Sequence, residues 1–161
     1  MTEIDYNECV RINADKVYRF IVKNLRNEED ARDIVQTSFE RLWRNRKEVS
    51  AEKSKSYLFT IAYHQMIDHI RKAKRVQLNE DLAAEKSGYT QPSDDIRKIL
   101  DEAMTRLNET QRALVMLKDY EGYSYEEIGQ ITGLNQSQVK VYLHRARLHL
   151  KQWLVSMENI I

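Results

Sequence analysis

The sequence predicts an all-α protein: two small helical domains joined by a flexible linker. Three observations carry this. Four Gly and one Pro in 161 residues leave few turn signals, and long helices tolerate few of either. Apolar residues recur at three- and four-residue spacing in separate stretches of both halves. The only Pro falls in an acidic stretch, 76–95, that lacks sustained periodicity. An all-β barrel or a multi-turn α/β enzyme needs many more turn residues, and this length suits one medium domain or two small ones.

Charge divides the chain in the same places. Lys+Arg total 26 against 25 Asp+Glu. Residues 1–75 hold 16 basic and 12 acidic side chains, a net of +4; 76–95 hold one Lys against five acids, a net of −4; 96–161 hold nine basic and eight acidic, a net of +1. The domains are therefore read as 1–75 and 96–161, with 76–95 as an acidic linker, either a plain solvated tether or a strand lying along a basic groove in a partner. A single cysteine, Cys9, makes no internal disulfide and no cysteine-based zinc cluster. The first ten residues, MTEIDYNECV, are acidic where a secretory signal is basic, and no run approaches the roughly 20 apolar residues that span a bilayer. The expectation is a cytoplasmic protein without direct membrane insertion.

In the first half, residues 30–43, DARDIVQTSFERLW, place Ala31, Ile34, Val35, Ser38 and Leu42 on one helical face. Asn27 precedes acids in the first turn, which suits a helix start. The opposite face carries Asp33, Gln36, Thr37 and Glu40, with Phe39 and Trp43 on its border. Such a face is either a solvated side or a surface that docks on another protein. Residues 57–75, YLFTIAYHQMIDHIRKAKR, place Leu58, Phe59, Ile61, Ala62, Met66 and Ile70 on a wide apolar arc, which implies burial on more than one side. The remaining stripe holds Tyr57, Thr60, His64, Asp68, Arg71 and Arg75 and ends in the cluster Arg71, Lys72, Lys74, Arg75. Aromatic, hydroxyl and imidazole groups leading into four cations describe a nucleic-acid track, bases at one end and phosphates at the other. His64 and Asp68 share a face, but no third group completes a metal site.

In the second half, Leu107, Ala113, Leu114 and Leu117 suggest a helix closed near Gly122. Ser124 and Glu127 form a capping box for a short helix with Ile128 and Ile131 inward. Gly133 supplies the positive φ of a tight turn, Leu134 fills the angle, and Asn135 with Gln138 starts another helix. This is the spacing of a DNA-reading helix-turn-helix. The last helix puts Val139, Leu143, Ala146, Leu150 and Trp153 on its core face and Ser137, Val141, His144 and Leu148 opposite, flanked by Lys140, Arg145 and Arg147. Between Asn135 and Lys151 stand four cations and no acid, whereas 96–134 hold five basic and seven acidic groups. Positive charge is gathered on the one helix placed to enter a major groove.

Taken in order, these stretches resemble an alternative RNA polymerase sigma factor of the extracytoplasmic-function type (ECF, group 4) in the sigma-70 family. GYSYEEIGQITGLNQSQVKVYLHRAR is similar to region four, residues 57–75 resemble the helices that melt and hold the minus-ten element, and 30–43 is similar to the core-polymerase-binding helix of region two. The resemblance implies region two over 1–75 and region four over 96–161, with regions one and three missing. It implies binding of bacterial core RNA polymerase by Asp33, Gln36, Thr37, Glu40 and Trp43. It implies minus-ten DNA contacts, single-stranded once melted, by Tyr57, Thr60, His64, Asp68, Arg71, Lys72, Lys74 and Arg75. Duplex contacts at the minus-thirty-five element would come from Gln136, Ser137, Lys140, Val141, His144, Arg145 and Arg147. Thr37 stands where members often carry Glu, and Asn108 where a Pro is usual. The resemblance also implies an anti-sigma partner, no cofactor, no metal and no catalysis, and a linker that threads the polymerase's RNA-exit path. Two other classes fit less well: a dimeric helix-turn-helix repressor or activator, and a small helical nuclease, for which no Gly-rich phosphate loop, ligand cluster or nucleophile–base pair can be placed.

Overall fold

The computed structural model describes residues 1–80 and 96–158. Every regular element in them is helical, as the sequence predicts. The chain runs α1 (Glu3–Leu25), α2 (Glu28–Arg44), a short 3-10 turn (Ala51–Lys53), α3 (Ser54–Glu80), α4 (Ile96–Thr105), α5 (Glu109–Val115), α6 (Tyr125–Thr132) and α7 (Gln136–Glu158). Of the acidic stretch read as a linker, 81–95 lie outside the described residues, while 76–80 continue α3. That helix also begins three residues earlier than the apolar pattern suggested.

Helix α1 has no counterpart in the sequence reading. Thr2 and Asp5 form a capping box at its start, and Arg26 closes it in the left-handed region at φ 59°. Its buried face is Cys9, Asn13, Val17, Phe20, Ile21 and Asn24, so two amides interrupt the apolar periodicity. The Asn24 amide is satisfied within the helix, donating to the Phe20 carbonyl at 2.7 Å. Helices α1, α2 and α3 pack against one another. In α2 the start is capped by Asn27, whose side chain accepts from the Asp30 N–H at 3.1 Å. Ser38 shares the buried face as expected, its hydroxyl returning to the Ile34 carbonyl at 2.7 Å. Phe39, placed on the polar border from sequence, is instead buried. Helix α1 covers that edge, and its Tyr6 hydroxyl donates to the Phe39 carbonyl at 3.1 Å.

In the second half α4, α5 and α6 each pack on α7. Asn108, where the family usually has Pro, secures the start of α5: its side chain accepts from the Gln111 N–H at 2.8 Å and the Gln111 side chain accepts back from Asn108. Helix α5 then widens into a π turn, Met116–Tyr120, where the Glu121 N–H reaches back to the Met116 carbonyl at 3.0 Å. The Ser124–Glu127 capping box forms as read, with bonds of 3.0 and 3.1 Å. Gly133 sits at φ 81°, a conformation that costs any side-chain-bearing residue.

The two halves share one continuous apolar core. Helix α3 lies between α1 and α2 on one side and α6 on another, which is the two-sided burial its wide arc implied. Leu58, Phe59, Ala62 and Met66 are fully buried there. The Phe59 ring stands edge-on to Phe20 at 5.4 Å and to Tyr123 of the second half at 5.8 Å, a geometry that favours aromatic pairs.

Candidate polymerase and nucleic-acid interfaces

Three surfaces carry the residues singled out from sequence. On α2, Asp33, Gln36 and Glu40 are exposed and Thr37 and Trp43 half-buried. Gln36 donates to the Glu40 carboxylate at 3.3 Å, and the Thr37 hydroxyl is turned back onto the Asp33 carbonyl at 2.8 Å. Thr37 therefore offers a methyl outward where Glu would offer charge. Trp43 is held by Tyr6 edge-on at 4.9 Å and by the Arg46 guanidinium at 3.9 Å from its ring. These contacts fix the indole at the end of the acidic face.

On α3, His64, Asp68, Arg71, Lys72, Lys74 and Arg75 are exposed, and Tyr57 and Thr60 half-buried. The Tyr57 hydroxyl accepts from the Asn45 amide at 2.7 Å, so its ring has a set direction at the upper end of the stripe. The His64 ring stands edge-on to Tyr63 at 5.3 Å. Thr60 bonds the Ser56 carbonyl at 2.7 Å, which leaves its methyl to the stripe. Lys74 departs from the set, since its ammonium pairs with Glu109 of α5. His69, on another face, pairs with Asp30 at 3.1 Å. Among the described residues no group of three or more metal-ligating side chains stands together.

On α7, Val139, Leu143 and Ala146 are buried, and Gln136, Ser137, Lys140, Val141, His144, Arg145 and Arg147 are exposed. One side of the helix is thus core and the other a free polar and cationic face. The turn that aims it is tight. The Leu134 carbonyl lies 2.9 Å from where a Cβ on Gly129 would stand, so α6 and the turn pack at backbone distance. Asn135 then caps α7, accepting from the Gln138 N–H at 2.8 Å. Lys140 lies 5.5 Å over the Tyr125 ring, a positioning residue that sequence reasoning passed over. Arg145 and Tyr142 line a recess of about 330 Å³ with Asn108, Thr110 and Gln111. Arg147 is committed elsewhere: its guanidinium donates to the Asp119 carboxylate at 2.7 Å, which raises its pKa further.

Family comparisons fall on the same two halves. The sigma-70 region 2 family matches residues 9–76 and the sigma-70 region 4 family matches 97–150. The ECF RNA polymerase sigma factor SigE of Mycolicibacterium smegmatis is 32% identical over 92% of this chain, which spans 61% of that relative's length. The Bacillus subtilis RNA polymerase sigma factor SigV is 30% identical over 86% of this chain and 84% of its own. The chain belongs to the ECF sigma factors. Region 2 of this sigma-family chain falls on α1–α3 and region 4 on α4–α7. The Bartonella quintana sigma factor RpoE, solved in complex with the anti-sigma factor NepR, shares the fold at a TM-score of 0.78 and 23% identity, over 93% of this chain and 96% of that one. Among the described residues no helix is long and apolar enough to cross a membrane.

Proposed function

We propose that the chain is an alternative sigma factor: it binds bacterial core RNA polymerase through the outer face of α2 and directs promoter-specific initiation. Helix α7 reads the minus-thirty-five duplex, and the α3 stripe holds the melted minus-ten strand. The observation that carries this reading is the two-sidedness of α7, core on one face and acid-free cations with Val141 on the other, behind a capped helix-turn-helix. Lys140 and Arg145 have the donors to read guanine edges, Val141 the methyl to meet thymine, and Gln136 and Ser137 the reach to phosphate. Along α3, Tyr57 and His64 supply flat faces for an unpaired base, and Arg71, Lys72 and Arg75 neutralise the backbone beyond it.

Unstacking costs a few kcal/mol per base, so a chain of this size does not open a duplex alone. Docking of α2 on the polymerase is then a condition of function, and the chain makes or breaks no bond itself. The Bartonella neighbour carries an anti-sigma factor, and we extend a protein inhibitor of that kind to this chain. The deciding experiment is co-elution of the purified chain with core RNA polymerase, followed by footprinting. A stoichiometric complex that protects both promoter elements is the expected result. A chain that elutes alone and protects a palindromic duplex is a dimeric repressor instead.

A further inference from the structure

The contacts between the halves are specific, and sigma activity does not call for them. Arg112 of α5 is buried without a carboxylate partner. Its guanidinium donates to the carbonyls of Met104, Thr105 and Leu107 within region 4, and at 3.0 Å to the Asn24 carbonyl in the last turn of α1. One cation thus satisfies the unpaired carbonyl ends of two helices, where the helix dipole favours positive charge. Beside it Asn24 meets the Met116 sulfur at 3.4 Å. Tyr123 is buried against Phe59, with the Lys55 ammonium 5.0 Å over its ring. At the rim Lys55 pairs with Glu121 at 3.5 Å, Lys23 with Asp101 at 3.9 Å, and Lys74 with Glu109.

We infer that the free chain is a closed, self-restrained form in which Arg112 and Tyr123 clamp region 4 onto region 2, and that this seam must open before one molecule engages both promoter elements. The inference rests on the sigma reading for its consequence, but not for the seam itself. The closed chain measures roughly 40 Å across by the size scaling of compact domains. The two promoter elements, about 25 base pairs apart by their names, lie roughly 85 Å apart at 3.4 Å per pair. No closed arrangement reaches both. The α7 reading face is uncovered in the closed form, so what closure denies is simultaneous engagement. Lys74, drawn from the minus-ten cluster onto Glu109, is released by the same opening.

X-ray scattering from the free, full-length chain tests this. The expected radius of gyration is near 15 Å, the value for a compact body of this length, and separated halves give more than ~20 Å. Tyr123→Glu puts a carboxylate where the seam is apolar and is expected to swell the chain past ~20 Å with helicity unchanged by circular dichroism. Glu121→Lys with Asp101→Lys, which sets like charges against Lys55 and Lys23 at the rim, is expected to move the radius the same way. With core polymerase, the rim variant is expected to form promoter complexes about 3- to 10-fold faster, in proportion to the gain in open chain. An extended wild-type chain overturns the proposal, as do folded variants that keep the compact radius. Loss of helicity in Tyr123→Glu passes the decision to the rim variant. If the chain never binds polymerase, the sigma reading falls while scattering still decides closure.

Discussion

Replacing Gly129 by alanine sets two effects of opposite sign against each other. Gly129 lies inside α6, where alanine gains about 1 kcal/mol in helix propensity. The new Cβ would sit 2.9 Å from the Leu134 carbonyl oxygen, which is backbone and cannot rotate aside. Such overpacking costs about 1–3 kcal/mol. The clash wins, for a net loss of about 1–2 kcal/mol, which in a chain of this size lowers Tm by about 2–8 °C. The backbone that must yield leads straight into Asn135 and the first turn of α7, so Gln136 and Ser137 move with it. Calorimetry combined with footprinting of the minus-thirty-five element reads both effects: Tm falls, and sequence-specific protection weakens more than non-specific binding. A Tm that rises, with specific protection unchanged, would refute the close packing of turn on helix and the aiming role given to it.

Three further outcomes are expected. Lys140→Ala and Arg145→Ala each reduce initiation 5- to 150-fold in a promoter-dependent way, the worth of one base-reading contact; equal loss on every template in transcription assays makes them phosphate contacts. Asp33→Ala with Gln36→Ala weakens polymerase co-elution while circular dichroism stays unchanged, because both side chains are exposed; undiminished binding moves the docking face elsewhere. Ser124→Ala removes both bonds of the α6 capping box and costs about 1 kcal/mol in urea unfolding. The Glu127 carboxyl, held below its ordinary range by the Ser124 N–H and hydroxyl, adds stability that is full above its unfolded value and fades as pH falls through its folded one. In Glu127→Gln that acid-side loss is expected to be smaller than in wild type, and an identical acid limb disproves the linkage.

Region 4 was legible because its signals are local. Capping boxes, a turn glycine and a 4-3-4-3 apolar repeat act within four residues of themselves, and each forms as the sequence implied. Helix α1 was not legible, because its core face carries Asn13 and Asn24, and amide positions break the periodicity that marks a helix. Phe39 was misplaced for a related reason: the arc a helix buries depends on its neighbours, and α1 widens it on α2. The seam lies furthest from sequence reasoning. Arg112 and Asn24 are 88 residues apart, and Arg112 reads as one more surface cation until the carbonyls around it are known. The exposed stripe of α3 was legible as a pattern, but the pairing of Lys74 with Glu109 depends on how the halves meet.

The π turn after α5 gives the chain an unusual sensitivity to length. A π turn amounts to one extra residue in an α-helix. Deleting one residue within Met116–Tyr120, Lys118 for instance, would restore regular winding and rotate all that follows by about 100° and 1.5 Å. Asp119 would swing away from Arg147, Tyr120 from Lys23, and Tyr123 from Phe59, all contacts made just beyond or within the turn. Substitutions there change a side chain, whereas a single-residue deletion changes the register between the reading helix and everything before it. Insertions and deletions between Val115 and Gly122 are therefore the lesions this fold tolerates least, even though the segment contributes no residue to either DNA-facing surface.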